Sequence, residues 1–400
     1  MSAGTDLLHR DDPYLLDFEA TVLARREHEG GPAVVLDRTA FYAESGGQPF
    51  DTGTLGDARV LAVIKAGGEV LHVLDRYPSA DRVRGRVDGE RRRDHLQQHH
   101  GQHLLSRAFV EVASAGTVSF HLGAEASSID LDRLVGGEEV RAAEARANAV
   151  VWEARPVTVR TLSRAEAAAL GLEVPDEAGD RVRVVEAEGF DRQPCGGTHP
   201  RRTAEVGVVT VLGHERYKGG TRVQFVCGFR ALALARARAE ALGRAGALLS
   251  SSLDDVPAAV ERLKEQLTQA QGRAEDLLER ALEGEARRLL ARPRGPGDPV
   301  VAVFQGWAPA DLRALALRLV TLEPCVALLG SASDKAHAVF AQAEGLPHDV
   351  PALLQEAMRA VGGRGGGRGN LAQGGSERLE GLAPAIEAAA RRVRERAGPA

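Results

Sequence analysis

The sequence predicts an α+β protein of several domains, and three observations support this. The chain has 400 residues, more than one ordinary domain contains. Short apolar runs between glycine pairs fill its first part, helical periodicity fills its third part, and strands alternate with helices towards the C-terminus. We therefore expect four domains, which cover residues 1–88, 89–230, 231–295 and 296–400.

The overall composition is that of a soluble globular chain. Hydrophobic residues make up 44% and charged residues 27% of the sequence, which is an ordinary balance. No apolar run is long enough to span a membrane, and Met1–Asp12 lacks the apolar core of a signal peptide. We expect a cytoplasmic protein without a membrane partner, and the three scattered cysteines argue against a disulfide framework.

Residues 1–88 are predicted to form a small β-barrel. Glycine pairs separate short apolar runs in this region, which is typical of barrels and sandwiches. The clearest strand candidates are 33–36, 60–64 and 70–74.

Residues 89–230 are predicted to form a mixed α/β domain. A helix is expected over 91–113. Strands are expected at 127–131, 157–159, 182–185, 206–211 and 221–226. We expect the last two strands to pair with each other.

Residues 231–295 are predicted to form an antiparallel helical hairpin. Apolar residues recur at alternate steps of three and four, as in a coiled-coil seam. They are Val260, Leu263, Leu267, Ala270, Ala274, Leu277 and Ala281. Ser250–Ser252 and Pro257 divide the region into two helices, and the seam raises the hypothesis of a homodimer contact.

Residues 296–400 are predicted to form a small, glycine-rich α/β domain. Strands and helices alternate here. The expected strands are 300–304, 325–329 and 338–341, and the expected helices are 311–322 and 351–361. A homodimer contact through this domain is a further hypothesis.

His99 and His103 are the first candidate metal ligands. Residues four apart share one face of a helix, so both imidazoles can reach one ion. His95 lies about 12 Å from His103 along the helix axis, and His100 points about 100° away from His99. We expect these two to be solvated or hydrogen-bonded histidines.

Cys195-Gly196-Gly197-Thr198-His199 supplies the second half of the site. Thiolate and imidazole are preferred zinc ligands, and with the histidine pair they make four. Glycines allow the sharp turn that brings Cys195 and His199 together. Four protein ligands can fill a closed structural site, whereas a hydrolytic site usually keeps one position open, so the residues alone leave both roles possible.

Three segments together resemble one known family. The two metal motifs are similar to those of the alanyl-tRNA synthetase editing domain and of free-standing alanyl-tRNA editing proteins, the AlaX group. Thr39–Pro49 resembles the family's N-terminal barrel motif, and Gly362–Gly375 resembles the C-terminal domain of the synthetase. The order of these segments matches the long form of the AlaX group. His100 departs from the family, which usually has Ser or Thr there.

The resemblance implies a trans-editing hydrolase that removes serine or glycine from mischarged tRNA(Ala). It also implies one zinc ion per chain, held by His99, His103, Cys195 and His199. A pocket beside the ion would admit the charged end of the tRNA. Our candidates for that pocket are Thr39, Gln48 and His121, with ordinary barrel packing or a structural histidine as the alternatives.

The glycine-rich run is the candidate RNA contact. Glycine lets backbone N–H groups approach phosphates closely, and arginine adds charge and planar stacking. The candidate tRNA-binding residues are Arg364, Arg368, Asn370 and Gln373. A flexible linker is the alternative, and the absence of a Walker A ending argues against nucleoside triphosphate hydrolysis.

Other functions remain open at the level of sequence. One is a non-enzymatic tRNA-binding protein in which zinc only stabilises the fold. Another is editing of a different mischarged tRNA. A phosphoesterase, which the C-terminal resemblance also suggests, is disfavoured because the sequence contains no Asp-His-His run.

Overall fold

The structure is a computed structural model that describes residues 4–174 and 179–397. The chain divides into two units, Met1–Ala245 and Gly246–Ala400. Mixed α/β architecture with several sheets is present throughout, as the sequence predicts.

The N-terminal region of the first unit is made of strands. They are β1 Asp6–Leu7, β2 Asp17–His28, β3 Gly31–Leu36, β4 Arg38–Thr39, β5 Gly53–Leu55, β6 Ala58–Ala66, β7 Glu69–Leu74 and β8 Arg82–Val87. Six of them close into a barrel in the order β2-β3-β7-β6-β5-β8. Alternation explains the orientation of β8, where Val83 and Val87 are buried and the arginines between them are exposed.

The rest of the first unit combines helices with two open sheets. Its elements are α1 Gly89–Ala113, β9 Thr117–Leu122, β10 Ser127–Leu131, α2 Gly137–Trp152, β11 Val157–Ser163, α3 Arg164–Ala169, β12 Arg181–Ala187, β13 Asp191–Pro194, β14 Val209–Tyr217, β15 Gly220–Cys227 and α4 Gly228–Leu249. The sheet orders are β14-β15-β10-β9 and β11-β12-β13. Helix α4 continues past the boundary between the units.

Helix α1 is the central element of the first unit. Asp88 caps its start, because the carboxylate accepts hydrogen bonds from the backbone N–H groups of Glu90 and Arg91. Arg92, fully buried, forms an ion pair with Asp51 of the barrel region. The same carboxylate accepts a hydrogen bond from Tyr42 N at 2.7 Å. One buried charge pair therefore fixes the helix against the barrel.

The second unit is built on a five-stranded sheet. Its elements are α5 Val256–Leu290, β16 Val300–Gln305, α6 Pro309–Leu322, β17 Val326–Ala332, β18 Ala336–Gln342, α7 Val350–Ala360, β19 Arg364–Arg368, β20 Leu371–Ser376 and α8 Leu382–Ala397. The sheet order is β16-β17-β18-β20-β19, and only β16 and β17 run parallel. Helices α7 and α8 cover one face, while α6 and the end of α5 pack on the other.

Glycines in the last hairpin allow close packing against α7. A Cβ atom at Gly365 would lie 2.8 Å from Leu354 Cδ2, and one at Gly374 would lie 2.7 Å from Met358 Cγ. The glycine-rich run is thus the strand pair β19–β20, which the sequence analysis did not predict. At least part of its glycine content serves helix packing.

Most predicted elements are present, with some differences. The strand expected at 206–211 begins only at Val209, since 203–206 form a short 3-10 turn. Helix α8 was not predicted either. A break at 250–255 separates α4 from α5. The hairpin arrangement of these helices and the homodimer remain predictions.

The predicted coiled-coil seam lies on α5. Its large side chains Val260, Leu263, Leu267 and Leu277 are exposed. No helix among the described residues has the length and apolarity needed to cross a membrane.

Candidate metal centre

The four predicted metal ligands come together in the first unit. The possible ligand atoms of His99, His103, Cys195 and His199 all lie within 4.8 Å of one another. The first two are one turn apart on α1, and their ring centroids are 5.2 Å apart. The other two follow β13 in a loop, so distant parts of the chain converge on one point.

The loop that carries Cys195 is fixed by backbone contacts. Cys195 N donates to Arg183 O at 3.0 Å. The Arg183 guanidinium donates to the carbonyl oxygens of Cys195 and Gly197, both at 2.8 Å. A side chain at Gly197 would place its Cβ 2.0 Å from His99 Cε1. Glycine is therefore needed here for the loop to approach the helix.

The spacing of the donor atoms suits a small tetrahedral ion. Cys195 Sγ lies 3.4 Å from His99 Nε2 and 3.2 Å from His199 Nε2. Zinc bonds of about 2.0–2.1 Å to nitrogen and 2.3 Å to sulfur imply a tetrahedral edge of roughly 3.5 Å. These two donor pairs are therefore almost at the separation expected around a bound zinc ion.

Each ligand histidine is held from behind at Nδ1. His99 Nδ1 lies 2.6 Å from Gln48 Oε1, which also accepts from Thr198 N at 3.0 Å. His103 Nδ1 lies 3.1 Å from Asp191 Oδ2 and 2.7 Å from Gln193 Nε2, which itself donates to Asp191 Oδ2 at 2.9 Å. Such partners fix the ring and the tautomer of a metal-binding histidine, so that Nε2 carries the free lone pair.

His100 is the partner of the third ligand histidine. Its Nδ1 lies 3.1 Å from His199 Nδ1, and the side chain is fully buried. With Nε2 of His199 turned towards the sulfur, Nδ1–H of His199 is the donor and His100 Nδ1 the acceptor. The residue that departs from the family pattern thus supports a ligand, and the expectation of a hydrogen-bonded histidine is confirmed for His100.

Electrostatics favour a thiolate in the cluster. Burial opposes ionisation of Cys195, but the imidazoles of His99, His199 and His103 outweigh it and hold the pKa of the thiol well below its usual value. Burial lowers the pKa of His199 to about 3. For His103, burial favours the neutral ring, yet Cys195 and Asp191 raise its pKa to about 10. The negative sulfur therefore attracts a proton or a metal cation.

A cavity of about 470 Å³ opens beside the cluster. Its wall is formed by Tyr42, Ser45, Gly46, Gly47, His99, Gln102, His103, Ser106, Thr117, Val118, Ser119, Phe120, Gln193, Pro194, Cys195, Gly196 and Gly197. Three of the four candidate ligands are on this wall. Cys195 is partly exposed, whereas the histidines are buried.

The expected pocket residues lie elsewhere among the described residues. Thr39 is buried in the barrel region with Oγ1 2.8 Å from His72 Nε2. Gln48 lies behind His99, because the loop presents Gly46 and Gly47 to the cavity instead. His121 is exposed on β9. Thr39 and Gln48 thus have packing and hydrogen-bonding roles, and none of the three is part of the cavity wall.

Gln102 and Phe120 are wall residues that the sequence analysis missed. Gln102 Nε2 donates to Ser106 Oγ at 2.8 Å, and the side chain is 4% exposed. Its Oε1 has no hydrogen-bond partner among the described residues. The Phe120 ring centroid lies 6.0 Å from that of His99. Helical spacing of three from His99 could have identified Gln102, but nothing local indicates Phe120.

His95 belongs to a different buried group. Its Nδ1 lies 3.7 Å from Asp51 Oδ1, and the residue is 4% exposed. It therefore faces the barrel and not the cluster, as its position along α1 predicts.

The candidate RNA-binding residues lie on the edge hairpin of the second unit. Strand β19 is the outermost strand, and Arg364, Arg368 and Gln373 are exposed. Arg364 and Arg368 are opposite Gly375 and Leu371, while Gln373 is opposite Gly366. These pairings put the three side chains on the same face of the hairpin. Asn370 is exposed in its turn.

Three family profiles match the chain. Residues 15–91 match the class II (A) tRNA synthetases, residues 182–224 match the threonyl and alanyl tRNA synthetase second additional domain, and residues 297–395 match the DHHA1 domain. The chain therefore contains segments similar to tRNA synthetase domains.

Matches to individual proteins identify the family more narrowly than the profile matches do. The chain is 30% identical over 378 residues to the alanyl-tRNA editing protein AlaX-L of Pyrococcus horikoshii, a match that covers 91% of this chain and 92% of that protein. It is 34% identical to the alanine–tRNA ligase of Natronomonas pharaonis, over 96% of this chain but only 43% of the ligase. The chain belongs to the family of alanyl-tRNA editing proteins.

A solved structure is also similar in sequence. The C-Ala domain of Aquifex aeolicus alanyl-tRNA synthetase is 25% identical, with a TM-score of 0.24. The match covers 25% of this chain and 96% of that domain.

Proposed function

We propose that this protein is a zinc-dependent hydrolase that acts in trans on mischarged tRNA(Ala). The observation that carries the proposal is the convergence of one thiolate and three imidazoles beside an open cavity, with His99, His103 and Cys195 on its wall. The relative whose name describes alanyl-tRNA editing matches along most of both chains, which supports the choice of substrate.

Zinc is the metal that fits the donor set. Three nitrogens and one sulfur in a buried tetrahedral cluster suit zinc, whereas magnesium and calcium prefer oxygen ligands. When bound, zinc supplies a Lewis acid that polarises a carbonyl group or acidifies a water molecule. His99 and His199 each have an Nδ1 partner suited to the tautomer needed for binding, while Nδ1 of His103 contacts both Asp191 and Gln193.

The chain's own residues supply orientation of the substrate. Gln102 Oε1, which is buried and free to accept, can bind the hydroxyl or amino group of a serine ester. Its partner Ser106 Oγ accepts from Thr117 Oγ1 at 2.7 Å, so the amide is held in one orientation. A site that hydrogen-bonds a hydroxyl discriminates strongly against a substrate without it. Gln102 is therefore our candidate for the preference for serine over alanine, and hydrolysis of the glycyl ester, which has no hydroxyl, depends on other contacts.

The reaction is hydrolysis of the ester between the amino acid and the terminal ribose. The oxygen of water adds to the ester carbonyl carbon, the bond to the ribose oxygen breaks, and that oxygen takes a proton. An ester is already activated, so holding the reactants in place accounts for much of the required acceleration. The cavity beside Cys195 is the space for the ester group.

We infer that the β19–β20 hairpin contacts the tRNA. Arg364 and Arg368 project from one face of an edge strand, where phosphates can reach them without obstruction. Arginine forms bidentate contacts with phosphate. Most of the affinity of such contacts is electrostatic and falls with salt.

One observation favours a second candidate, a tRNA-binding protein with purely structural zinc. Four protein ligands with supported histidines are typical of closed zinc sites. The open cavity at Cys195 favours the hydrolase, since a structural site needs no access. Editing of another charged tRNA is a third candidate function. An assay on several charged tRNAs distinguishes it from the first.

The test is a deacylation assay on seryl-, glycyl- and alanyl-tRNA(Ala), with seryl-tRNA(Ser) as the control for tRNA identity. We expect rapid hydrolysis of the first two and slow hydrolysis of the others. Metal content is measured on the same protein. Cys195→Ala should abolish hydrolysis, while Cys227→Ala, which changes a buried cysteine outside the cluster, should not. Stoichiometric zinc without hydrolysis of any of the four substrates would favour the structural alternative.

A further inference from the structure

A second cavity, of about 630 Å³, lies in the second unit. It forms where β17 begins, between the 292–298 segment, the loop after β18 and the last turn of α8. The wall includes Arg292, Arg294, Glu323, Cys325, His348 and Arg396. It has no part in the chemistry proposed for the first unit.

The cavity wall carries surplus positive charge. Its two carboxylates already have cationic partners: Glu323 lies 2.9 Å from Arg294 Nη2, and Asp298 lies 3.2 Å from Arg394 Nε. Arg292 and Arg396 form no ion pair with any residue that the structure describes. Two guanidinium groups are therefore available to an anion.

Two buried nitrogens of the wall also lack partners. Arg294 Nε and His348 Nδ1 have no hydrogen-bond partner within the described ranges. Buried polar atoms are nearly always hydrogen-bonded, and an exception often marks a bound water or ion. Burial lowers the pKa of His348, and the nearby Arg396 lowers it further. A bound anion would accept a hydrogen bond from Arg294 Nε–H. Its negative charge would also offset the positive potential that Arg396 creates at His348.

One buried glutamine connects this cavity with the hairpin turn. Gln342 Nε2 donates to Asn370 Oδ1 and to His348 O, both at 2.9 Å. His348 N donates back to Gln342 Oε1 at 3.2 Å. The loop that carries His348 and the turn that carries Asn370 are thus held side by side.

We propose that this cavity binds a phosphate group through Arg292, Arg294 and Arg396. Arginine donors around a concave wall match the geometry of a phosphate better than that of any neutral ligand. Because the cavity adjoins the hairpin turn, we assign the phosphate to the backbone of the same tRNA. That assignment rests on the proposed function, whereas the phosphate chemistry does not. Free phosphate is the other source of the same group.

The experiment compares two double variants of the full chain with equal changes in net charge. Arg292→Gln with Arg396→Gln removes the two available cavity arginines. Arg280→Gln with Arg313→Gln removes two exposed arginines of the same unit that are not in the cavity wall. The probes are inorganic phosphate, followed by calorimetry, and uncharged tRNA(Ala), followed by filter binding at several salt concentrations.

We expect the cavity pair to weaken tRNA binding more than the control pair. Its slope of log affinity against log salt should fall by about 1 for each lost phosphate contact. Phosphate binding should be lost in the cavity pair only. If the cavity pair loses phosphate binding but keeps its tRNA affinity, the cavity binds free phosphate. The assignment of the phosphate to the tRNA backbone would then be wrong.

Equal behaviour of the two pairs with both probes would overturn the proposal entirely. Failure of the proposed function is distinguishable, because uncharged tRNA is bound without being hydrolysed. A chain that binds phosphate in this cavity but neither binds nor deacylates tRNA would refute the function while leaving the phosphate site intact.

Discussion

The metal cluster and the glycine-rich hairpin use opposite physical strategies. Each ligand histidine of the cluster is buried and fixed by a partner at its second nitrogen. Arg364 and Arg368 of the hairpin extend from an edge strand into solvent. Chemistry at a bond needs donors fixed within a fraction of an ångström, whereas attraction to phosphates tolerates flexible side chains. Substitutions should therefore have large, local effects in the first region and small, salt-dependent effects in the second.

The largest effect should follow from removing a ligand. His103→Ala should eliminate stoichiometric zinc and reduce deacylation to the spontaneous rate, because an open cluster cannot hold the ion. His121→Ala removes an exposed histidine and is the matched control. Zinc content and single-turnover deacylation measure both. If His103→Ala retained zinc and activity, the proposal that this cluster binds the zinc required for deacylation would be wrong.

The next effect concerns the scaffold behind the cluster. Arg92→Met leaves the Asp51 carboxylate buried without its cationic partner, which should cost about 3–5 kcal/mol of unfolding free energy. Arg93→Met, at the neighbouring exposed position, should change it by less than about 0.5 kcal/mol. Denaturant unfolding followed by fluorescence provides the comparison. Equal midpoints would show that the buried pair does not fix α1.

The same pair predicts a pH dependence. Burial opposes ionisation of Asp51, but His95 and Arg92 hold its pKa below the usual value. Because the folded pKa is depressed, the stabilisation is present above the unfolded pKa of about 4 and is lost as pH falls through the folded value. The difference between native protein and Arg92→Met should be largest near neutral pH, where Asp51 is ionised, and should shrink as pH falls and the unpaired, buried carboxylate of the variant takes up a proton. A difference that grows in acid would contradict this assignment.

A smaller effect on zinc affinity should follow from removing His100, the hydrogen-bond partner of His199. His100→Ala should weaken zinc binding by about 10–100-fold, the usual effect of losing such a partner. His100→Asn places an amide oxygen near the position of Nδ1 and should restore part of the affinity. Competition with a chromophoric chelator measures zinc affinity directly. Wild-type affinity in His100→Ala would show that the contact with His199 has no positioning role.

The smallest effect should appear in the hairpin. Arg364→Gln with Arg368→Gln should weaken tRNA(Ala) binding modestly and lower the salt slope by about 1 for each contact. Zinc content and deacylation at saturating tRNA should not change. Arg359→Gln with Arg313→Gln, at exposed positions of α7 and α6, is the control for an equal change in net charge. A change in zinc content would show that the two regions are not independent.

The sequence predicted the ligands better than their surroundings. Residues of the right chemical type at helical spacing, with a second pair at a glycine turn, predicted the cluster of candidate ligands His99, His103, Cys195 and His199. Gln48 was expected to line the pocket, but the structure places it against His99, a contact that could not be foreseen. That contact depends on how the loop after β4 approaches α1, which is a distance between segments far apart in the sequence.

The glycine-rich run is a second case in which the sequence could not predict contacts between distant segments. Its composition suggested a loop that approaches phosphates, yet β19 and β20 form a strand pair against α7. Glycine permits both outcomes, because the absence of a side chain allows close approach by either a phosphate or a helix. The packing of Leu354 and Met358 against Gly365 and Gly374 is visible only after folding.

The sequence by itself predicted most of the strands and helices and the four side chains that the structure brings together as candidate metal ligands. These depend on local periodicity and on side-chain chemistry, which the sequence contains. The tertiary structure alone decided which atoms support the ligands, which residues form the cavity wall and which nitrogens remain unpaired in the second cavity. These depend on contacts between distant segments, where one ångström separates a hydrogen bond from none.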